Sequence, residues 1–176
     1  SDVYKRQVQQ AQIACVDVQN TLITSVSKDD RSPVTIADFA AQSIVSMILE
    51  QYDAQIPLVG EEDAQILREN DDLRKKVCAV VQRVMPEKTE EEILDAIDRG
   101  THEGGPNGVF WVLDPIDGTK GFLRKQQYAI ALGLVEHGKV TLGVLGCPNL
   151  PQDLSRPNHA IGSLFFATKG GGSFRW

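Results

Sequence analysis

The chain has 176 residues, of which 41% are hydrophobic and 24% are charged, and this composition fits a globular unit with a real core. Its formal net charge of −6 excludes recognition of nucleic acid or anionic membranes through a general basic surface. Any phosphate-bearing ligand must therefore be bound locally. A divalent cation is the usual means by which an acidic protein does this, because it turns carboxylates into ligands of the phosphate's counter-ion.

The first half of the chain is predicted to be mainly helical, because its apolar residues recur at helical spacing. Four helical segments and one short buried strand are expected, in the order Val8 to about Val26, Ala37 to about Tyr52, the strand Pro57 to Val59, about Ala64 to Val84, and Glu90 to Arg99. Pro33 disfavours helix at the residue before it, so Asp38 is expected in the first turn of the second helix. Glu61 follows Gly60 at the mouth of the strand.

The second half of the chain changes to strand-like patterns. Apolar or alternating runs predict four strands, at Val109 to Leu113, Tyr128 to Glu136, Lys139 to Cys147 and Ser163 to Thr168. A turn at His137-Gly138 joins two of them as a hairpin, which requires antiparallel pairing. Helices followed by mostly antiparallel strands indicate an α+β fold, that is, a layered domain with a largely antiparallel sheet flanked by helices.

The candidate chemistry is concentrated in the segment Asp114-Pro115-Ile116-Asp117-Gly118-Thr119, at the end of a buried strand. Its two aspartates stand three residues apart around a proline of fixed φ and can point to one side. Ile116 has a side chain suited to the core, so its carbonyl oxygen is free to turn outward as a ligand for a hard cation. A short helix from Gly118 would offer free N–H groups to a phosphate. Glu61 is the best-placed further carboxylate.

Two simpler interpretations of this motif compete with a metal site. In a common Asx turn, Asp117 caps the helix and Asp114 accepts hydrogen bonds from nearby amides, with no metal involved. The calcium loop of an EF-hand is excluded, because its third position needs an oxygen-bearing side chain and is Ile116 here. The acidic run from Gly60 to Asp63 is, on its own, typical of a solvated surface. Taken alone, the motif leaves the turn and the metal site open.

Three segments taken together resemble a known family. They are Ser32-Pro33-Val34-Thr35 with Ala37-Asp38, then Gly60-Glu61-Glu62, then Trp111-Val112-Leu113-Asp114-Pro115-Ile116-Asp117-Gly118-Thr119. In order and spacing they are similar to the three signatures of the inositol monophosphatase superfamily. The resemblance runs from about Val8 to Phe174, and it implies the layered fold of that superfamily's metal-binding N-terminal half.

The resemblance also implies a magnesium-dependent phosphatase and a set of ligands. Glu61, Asp114 and the carbonyl of Ile116 match the ligands of a first Mg²⁺. Asp114 and Asp117 match ligands of a second. In two-metal phosphoryl transfer, one cation lowers the pKa of the attacking water and the other neutralises the leaving oxygen.

Further residues match the family's catalytic and substrate-binding groups. Asp38 and Thr119 match the pair that positions and deprotonates the attacking water, with Asp38 as the acceptor and the Thr119 hydroxyl as a relay. Gly118 and Thr119 match contacts to the substrate phosphate. Direct attack by water is implied, without a covalent phosphoenzyme.

Within the superfamily, three further segments look like 3′(2′),5′-bisphosphate nucleotidases, most of all those of plants or algae: Glu103-Gly104-Gly105, Lys120 to Arg124, and Gly146 to Leu150. This resemblance implies hydrolysis of the 3′-phosphate of 3′-phosphoadenosine 5′-phosphate to give AMP. The alternatives are an inositol mono- or polyphosphate phosphatase of the same superfamily and a non-catalytic relative that binds divalent ions. The expected partner is a small nucleotide bisphosphate; neither nucleic acid nor a membrane is expected, and no protein partner is predicted.

The domain organisation and the compartment are also expectations at this stage. Without an initiating Met, residues 1–7 are open to being a non-native leader, and residues 8–176 are expected to form the metal-binding domain without the family's second α/β domain. That second domain supplies a further aspartate and most adenosine contacts in the family. Three widely spaced cysteines fit a reducing compartment, either the cytoplasm or an organelle such as the chloroplast or mitochondrion.

Overall fold

The computed structural model describes residues 2–22, 32–157 and 160–176. Its helices are α1 (Asp2–Thr21), α2 (Ser32–Asp53), α3 (Gln65–Glu69), α4 (Asp71–Val84), α5 (Glu90–Asp98) and α6 (Thr119–Leu123). Its strands are β1 (Leu58–Val59), β2 (Val109–Asp117), β3 (Ala129–Glu136), β4 (Lys139–Pro151), β5 (Ile161–Thr168) and β6 (Gly172–Arg175).

The six strands form one sheet in chain order, from β1 at one edge to β6 at the other. Strand β1 pairs with β2 in parallel, and every later neighbour pairs in antiparallel fashion. The expected hairpin is present, with Glu136 paired to Lys139 across its turn. The predicted α+β class with a largely antiparallel sheet is therefore confirmed.

Helices α1 and α2 pack against each other and against one face of the sheet, α1 on β3 and β4 and α2 on β2. Helices α4 and α5 in turn pack against α2. The side chains at the centre of this core are large and almost wholly buried, and they include Trp111, Phe39, Phe122, Ile36 and Ile44. In the described part of the chain, none of the helices combines the length and apolarity that a membrane span needs.

Both long helices begin earlier than predicted. Helix α1 starts at Asp2 rather than Val8, and within it the Tyr4 ring packs against Trp111 at a tilt of 50°, with ring centroids 4.8 Å apart. Helix α2 starts at Ser32 rather than Ala37, because a proline in the first turn lacks only an N–H that would have no helical partner. Asp38 therefore lies in the second turn, not the first. The predicted end of α1 near Val26 lies outside the described residues, and the origin of residues 1–7 stays a prediction.

Three other predicted boundaries were wrong. The helical segment from Ala64 to Val84 is two helices, separated at Asn70, whose side chain accepts a hydrogen bond from Leu73 N–H at 3.0 Å and so caps α4. Strand β2 continues past Leu113 through the whole acidic motif to Asp117. Strand β4 likewise continues past Cys147 to Pro151.

Close packing of α1 on β4 at Gly146 generates a stability prediction. A methyl group at this position would lie 2.5 Å from Val8 Cγ1, so Gly146→Ala forces the helix away from the sheet. We expect a loss of about 1–3 kcal/mol in the free energy of unfolding, measured by urea denaturation. Gly143→Ala is the matched control on the same strand, because nothing lies within 4 Å of the added carbon. Equal stability of the two variants would contradict the packing described here.

Candidate active site

Two acidic segments come together where the parallel pairing of β1 with β2 ends. In the register of this pair, Val59 is opposite Val112. Glu61 lies two residues beyond Val59, and Asp114 lies two residues beyond Val112, so both residues follow the last pair of this ladder by the same number of positions. Parallel pairing therefore brings together two segments that are distant in the sequence.

A bulge in β2 places the two aspartates of the motif on one face of the sheet. Asp114 pairs with Ala131 and Asp117 pairs with Ala129, so three steps along β2 match two steps along β3. In a regular strand, residues three apart point to opposite faces. The extra residue in the bulge restores the same side for both, while the Ile116 side chain is only 3% exposed and packs in the core.

The Asx-turn interpretation of the motif holds for Asp114 but not for Asp117. Asp114 does accept a hydrogen bond from the backbone N–H of Ile116 at 3.2 Å, as in an Asx turn. Asp117, however, does not cap the following helix, because the N-cap of α6 is Gly118, in the left-handed region at φ 94°. The Asp117 side chain is exposed and has no capping role. Thr119, the first residue of α6, is exposed as well.

The segment from Gly60 to Ala64 is fixed by hydrogen bonds and is not a loosely solvated acidic run. The Gly60 N–H donates to the Gly100 carbonyl at 2.7 Å. The N–H groups of Glu61 and Glu62 both donate to Gln42 Oε1 at 2.9 Å. The Ala64 N–H donates to Asp98 Oδ1 at 2.8 Å. The Asp98 carboxylate also pairs with Arg68 at 2.6 Å. The backbone that carries Glu61 and Glu62 is thus held from both sides, by α2 and by α5.

Asp38 is the most perturbed carboxyl group in this region. Burial raises its pKa first, and the nearby charges of Glu62, Glu61 and Asp114 raise it further, to about 8. The pKa of Asp114 is also raised, by burial and then by the charges of Glu61 and Asp117. The structure therefore brings Asp38, Glu61 and Asp114 within electrostatic reach of one another, and it brings Asp117 within reach of Asp114. In the described part of the chain, no hydrogen bond joins Asp38 to Thr119.

These residues fit a divalent cation by chemistry, although their side chains do not close around a common point. The groups that converge are oxygen donors, the type that Mg²⁺ and Ca²⁺ prefer. After burial, the charges of neighbouring carboxylates are the main cause of the raised pKa values of Asp38 and Asp114. Among the described residues, no three His, Cys, Asp or Glu side chains are arranged to hold a metal ion together. Mutual repulsion of the carboxylates favours such an open arrangement until a cation offsets it.

Comparison with known proteins decides the family. The family model described as the inositol monophosphatase family matches residues 3–176. The chain belongs to the inositol monophosphatase family. Members of this family generally depend on divalent metal ions. The matched range includes all three sequence signatures that the resemblance was based on.

Named relatives and solved structures agree with this family. The chain is 45% identical to 3′(2′),5′-bisphosphate nucleotidase 1 of Arabidopsis thaliana over 98% of its length, and 45% identical to the 3′(2′),5′-bisphosphate nucleotidase of Schizosaccharomyces pombe over 86%. It spans 55% and 46% of these two relatives, or about half of their length. An inositol monophosphatase from Zymomonas mobilis superposes with a TM-score of 0.58 at 21% identity, covering 99% of this chain and 49% of that one, which shows the shared fold.

An amide network, buried at Gln19 and partly buried at Asn149, holds the short helix of the family motif in place. Gln19 Nε2 on α1 donates to the Phe122 carbonyl at 2.9 Å, and Gln19 Oε1 accepts from Asn149 Nδ2 at 3.1 Å. Asn149 also donates to the Gln126 carbonyl at 2.7 Å. At Gly121, an added Cβ would lie 1.8 Å from the Gln127 carbonyl oxygen, so only glycine fits there. Helix α6 is thereby anchored to α1 and β4.

Several residues of this site were missed by sequence reasoning. Gln42 and Gln19 are 0% and 4% exposed, and the only sequence signal for them was an amide among apolar residues of a helix. Glu62 received no role, yet its charge acts on Asp38 more strongly than that of Glu61. Asn149 lies in the Gly146 to Leu150 segment, whose resemblance to nucleotidases gave it no structural role.

The raised pKa of Asp38 predicts how pH affects the stability of the cation-free protein. A carboxyl group whose pKa is higher in the folded chain than in the unfolded chain favours folding only while protonated. The free energy of unfolding should therefore fall as pH rises from about 4 to 8, and Asp38→Asn should raise it at pH 8 by on the order of 2 kcal/mol.

The measurement is urea denaturation in chelator at pH 5 and pH 8. Asp95→Asn, on the exposed face of α5, is the control for loss of one negative charge, and it should leave the difference between the two pH values unchanged. A destabilised Asp38→Asn variant at pH 8 would show that Asp38 is not held against the other carboxylates.

Proposed function

We propose that the complete protein containing this chain is a magnesium-dependent phosphomonoesterase that removes the 3′-phosphate from 3′-phosphoadenosine 5′-phosphate and releases AMP. One observation carries the proposal. Carboxylates from α2, the β1 mouth and the β2 bulge act on one another at a single sheet edge, in a chain 45% identical to proteins named bisphosphate nucleotidases. A negatively charged site suits a phosphate substrate only when cations offset its charge.

Four residues are proposed to hold the cations. Glu61, Asp114 and the carbonyl oxygen of Ile116 would bind one Mg²⁺, and Asp114 with Asp117 would contribute to a second. The bulge supports this assignment, because it sets both aspartates on one face, and the buried Ile116 side chain fixes the backbone between them. When bound, the cations supply charge neutralisation at the phosphate and a lowered pKa for water.

Asp38 is proposed to accept the proton of the attacking water. An efficient general base has a pKa near the working pH, and burial among carboxylates moves the pKa of Asp38 toward that range. Neutralisation of its acidic neighbours would lower this pKa again and make the carboxylate available. Thr119 is proposed to relay the proton through its hydroxyl. Gly118 and Thr119 are proposed to contact the substrate phosphate, at the point where α6 follows the bulge.

Release of inorganic phosphate by the purified complete protein tests the substrate directly. With Mg²⁺ present, we expect kcat/KM for 3′-phosphoadenosine 5′-phosphate to exceed that for inositol 1-phosphate by at least about 100-fold, and excess chelator to abolish turnover. Preference for inositol 1-phosphate would make the protein an inositol phosphatase. Magnesium binding without hydrolysis of either compound would make it a non-catalytic relative.

Thr119→Ala separates a role in proton transfer from a structural role at the start of α6. As a relay, Thr119 is expected to contribute about 100-fold to kcat while cation affinity stays within about twofold of wild type. As an exposed first residue of α6 that caps nothing, it would contribute no more than about 0.5 kcal/mol of stability, and turnover would stay nearly normal. Steady-state kinetics and calorimetric titration of Mg²⁺ distinguish these outcomes, and a lost cation site would contradict the assignment.

A further inference from the structure

The side chain of Gln42 is fully buried on α2 and joins three parts of the chain. Its Oε1 accepts hydrogen bonds from the N–H groups of Glu61 and Glu62, each at 2.9 Å. Its Nε2 donates to the Glu62 carbonyl at 2.6 Å and to the Ile97 carbonyl, at the end of α5, at 2.9 Å. A side-chain amide has two hydrogens to donate and accepts two hydrogen bonds at its oxygen. Every one of these is used inside the protein.

Two glycines leave the space that this amide occupies. A Cβ on Gly60 would lie 2.5 Å from Gln42 Oε1, and a Cβ on Gly100 would lie 2.5 Å from Gln42 Nε2. The two glycine backbones also bond to each other, from Gly60 N–H to the Gly100 carbonyl at 2.7 Å. The amide is therefore enclosed by backbone on both sides, and its orientation is set by four hydrogen bonds rather than by chance packing.

The position of Gln42 couples the cation ligand to the general base. Gln42 follows Asp38 by four residues, so both side chains lie on the same face of α2, one turn apart. One rigid helix thus carries the carboxyl proposed to accept the proton and the amide that fixes the backbone of Glu61. The Glu61 side chain itself is exposed, and the hydrogen bonds that hold this residue in the described part of the chain reach its backbone.

We infer that Gln42 is a positioning residue, which presents Glu61 to the cation and holds it in register with Asp38. The inference rests on the cation role given to Glu61 in the proposed function. A group that orients a metal ligand without touching the metal commonly contributes 10- to 100-fold to metal affinity. Because Gln42 has no hydrogen-bonding capacity left, it acts through Glu61 and not on the substrate.

Three variants of the complete protein test this role. Gln42→Leu removes all four hydrogen bonds and leaves the amides of Glu61 and Glu62 without their acceptor. Gln42→Glu keeps one oxygen that accepts from both amides, but its second oxygen faces two carbonyl groups. Val45→Ala is the control for lost stability, since Val45 is fully buried on α2 and has no side-chain amide with which to hold the Glu61 backbone.

The primary measurement is the dissociation constant of Mn²⁺ without substrate, from electron paramagnetic resonance titration. We expect an increase of at least about tenfold for Gln42→Leu, a smaller increase for Gln42→Glu, and less than a twofold change for Val45→Ala. At saturating Mg²⁺, kcat of Gln42→Leu should return to within about threefold of wild type with KM for the nucleotide unchanged. Partial rescue by glutamate, and recovery at high cation concentration, distinguish positioning from a merely structural role.

The outcomes separate this inference from the proposed function. If the wild type binds Mn²⁺ but releases no phosphate from the nucleotide, the proposed function fails and the binding series still decides the role of Gln42. If the wild type binds no Mn²⁺, both fail. An Mn²⁺ affinity that is unchanged in both Gln42 variants, or that falls only as far as in Val45→Ala at equal loss of stability, overturns the inference. Should Gln42→Leu fail to fold, the Mn²⁺ affinity of Gln42→Glu decides the role of Gln42.

Discussion

Parallel pairing of β1 with β2 is the constraint on which the candidate active site depends. Among the described strands it is the one parallel contact, and it sets Glu61 and Asp114 two residues beyond the paired residues Val59 and Val112. Strand β1 contributes only two residues to this pairing. A strand this short holds its position because the backbone receives hydrogen bonds from both sides. The Trp111 N–H of β2 donates to the Pro57 carbonyl at 2.8 Å, and the His102 N–H donates to the Leu58 carbonyl at 3.2 Å.

The same arrangement makes the site electrostatically unfavourable without a cation. Carboxylates that crowd together in partial burial raise one another's pKa, and each raised pKa is a loss of folding stability at neutral pH. Hydrogen bonds to uncharged groups offset that loss. The Gln42 amide fixes the β1 side, and the Gln19 and Asn149 amides fix the segment after the β2 bulge. Neutral amides suit this task, because they orient the backbone without adding charge to the site.

The sequence was most informative where a local pattern decides the structure. Strand positions, the hairpin at His137-Gly138 and the placement of Glu61 follow from apolar runs and turn residues, and the structure has them. The predicted starts of the two long helices were wrong where the local sequence signals were ambiguous. Pro33 reads as a helix breaker, yet in the first turn it is compatible with helix, so α2 begins at Ser32. The mostly polar residues before Val8 show no helical spacing of apolar side chains, and their helix is supported by tertiary contacts such as that of Tyr4 with Trp111.

The candidate site was predictable in its residue types but not in its geometry. Carboxylates after strands indicate cation chemistry, whereas the bulge that turns Asp117 to the side of Asp114 appears only in the register with β3. The role of Gln42 was equally hidden, because a buried amide reveals its partners only when distant segments have folded around it. Long-range hydrogen bonds of this kind leave no periodic trace in the sequence.

Anomalous X-ray diffraction from crystals of the complete protein soaked in Mn²⁺ tests the central claim most directly. The account predicts an ion bound by a Glu61 oxygen, an Asp114 oxygen and the Ile116 carbonyl, with bond lengths of about 2.1–2.2 Å and the two carboxylates within about 5 Å of each other. An ion bound elsewhere, or Glu61 and Asp114 carboxylates that remain more than roughly 10 Å apart with Mn²⁺ present, would contradict it.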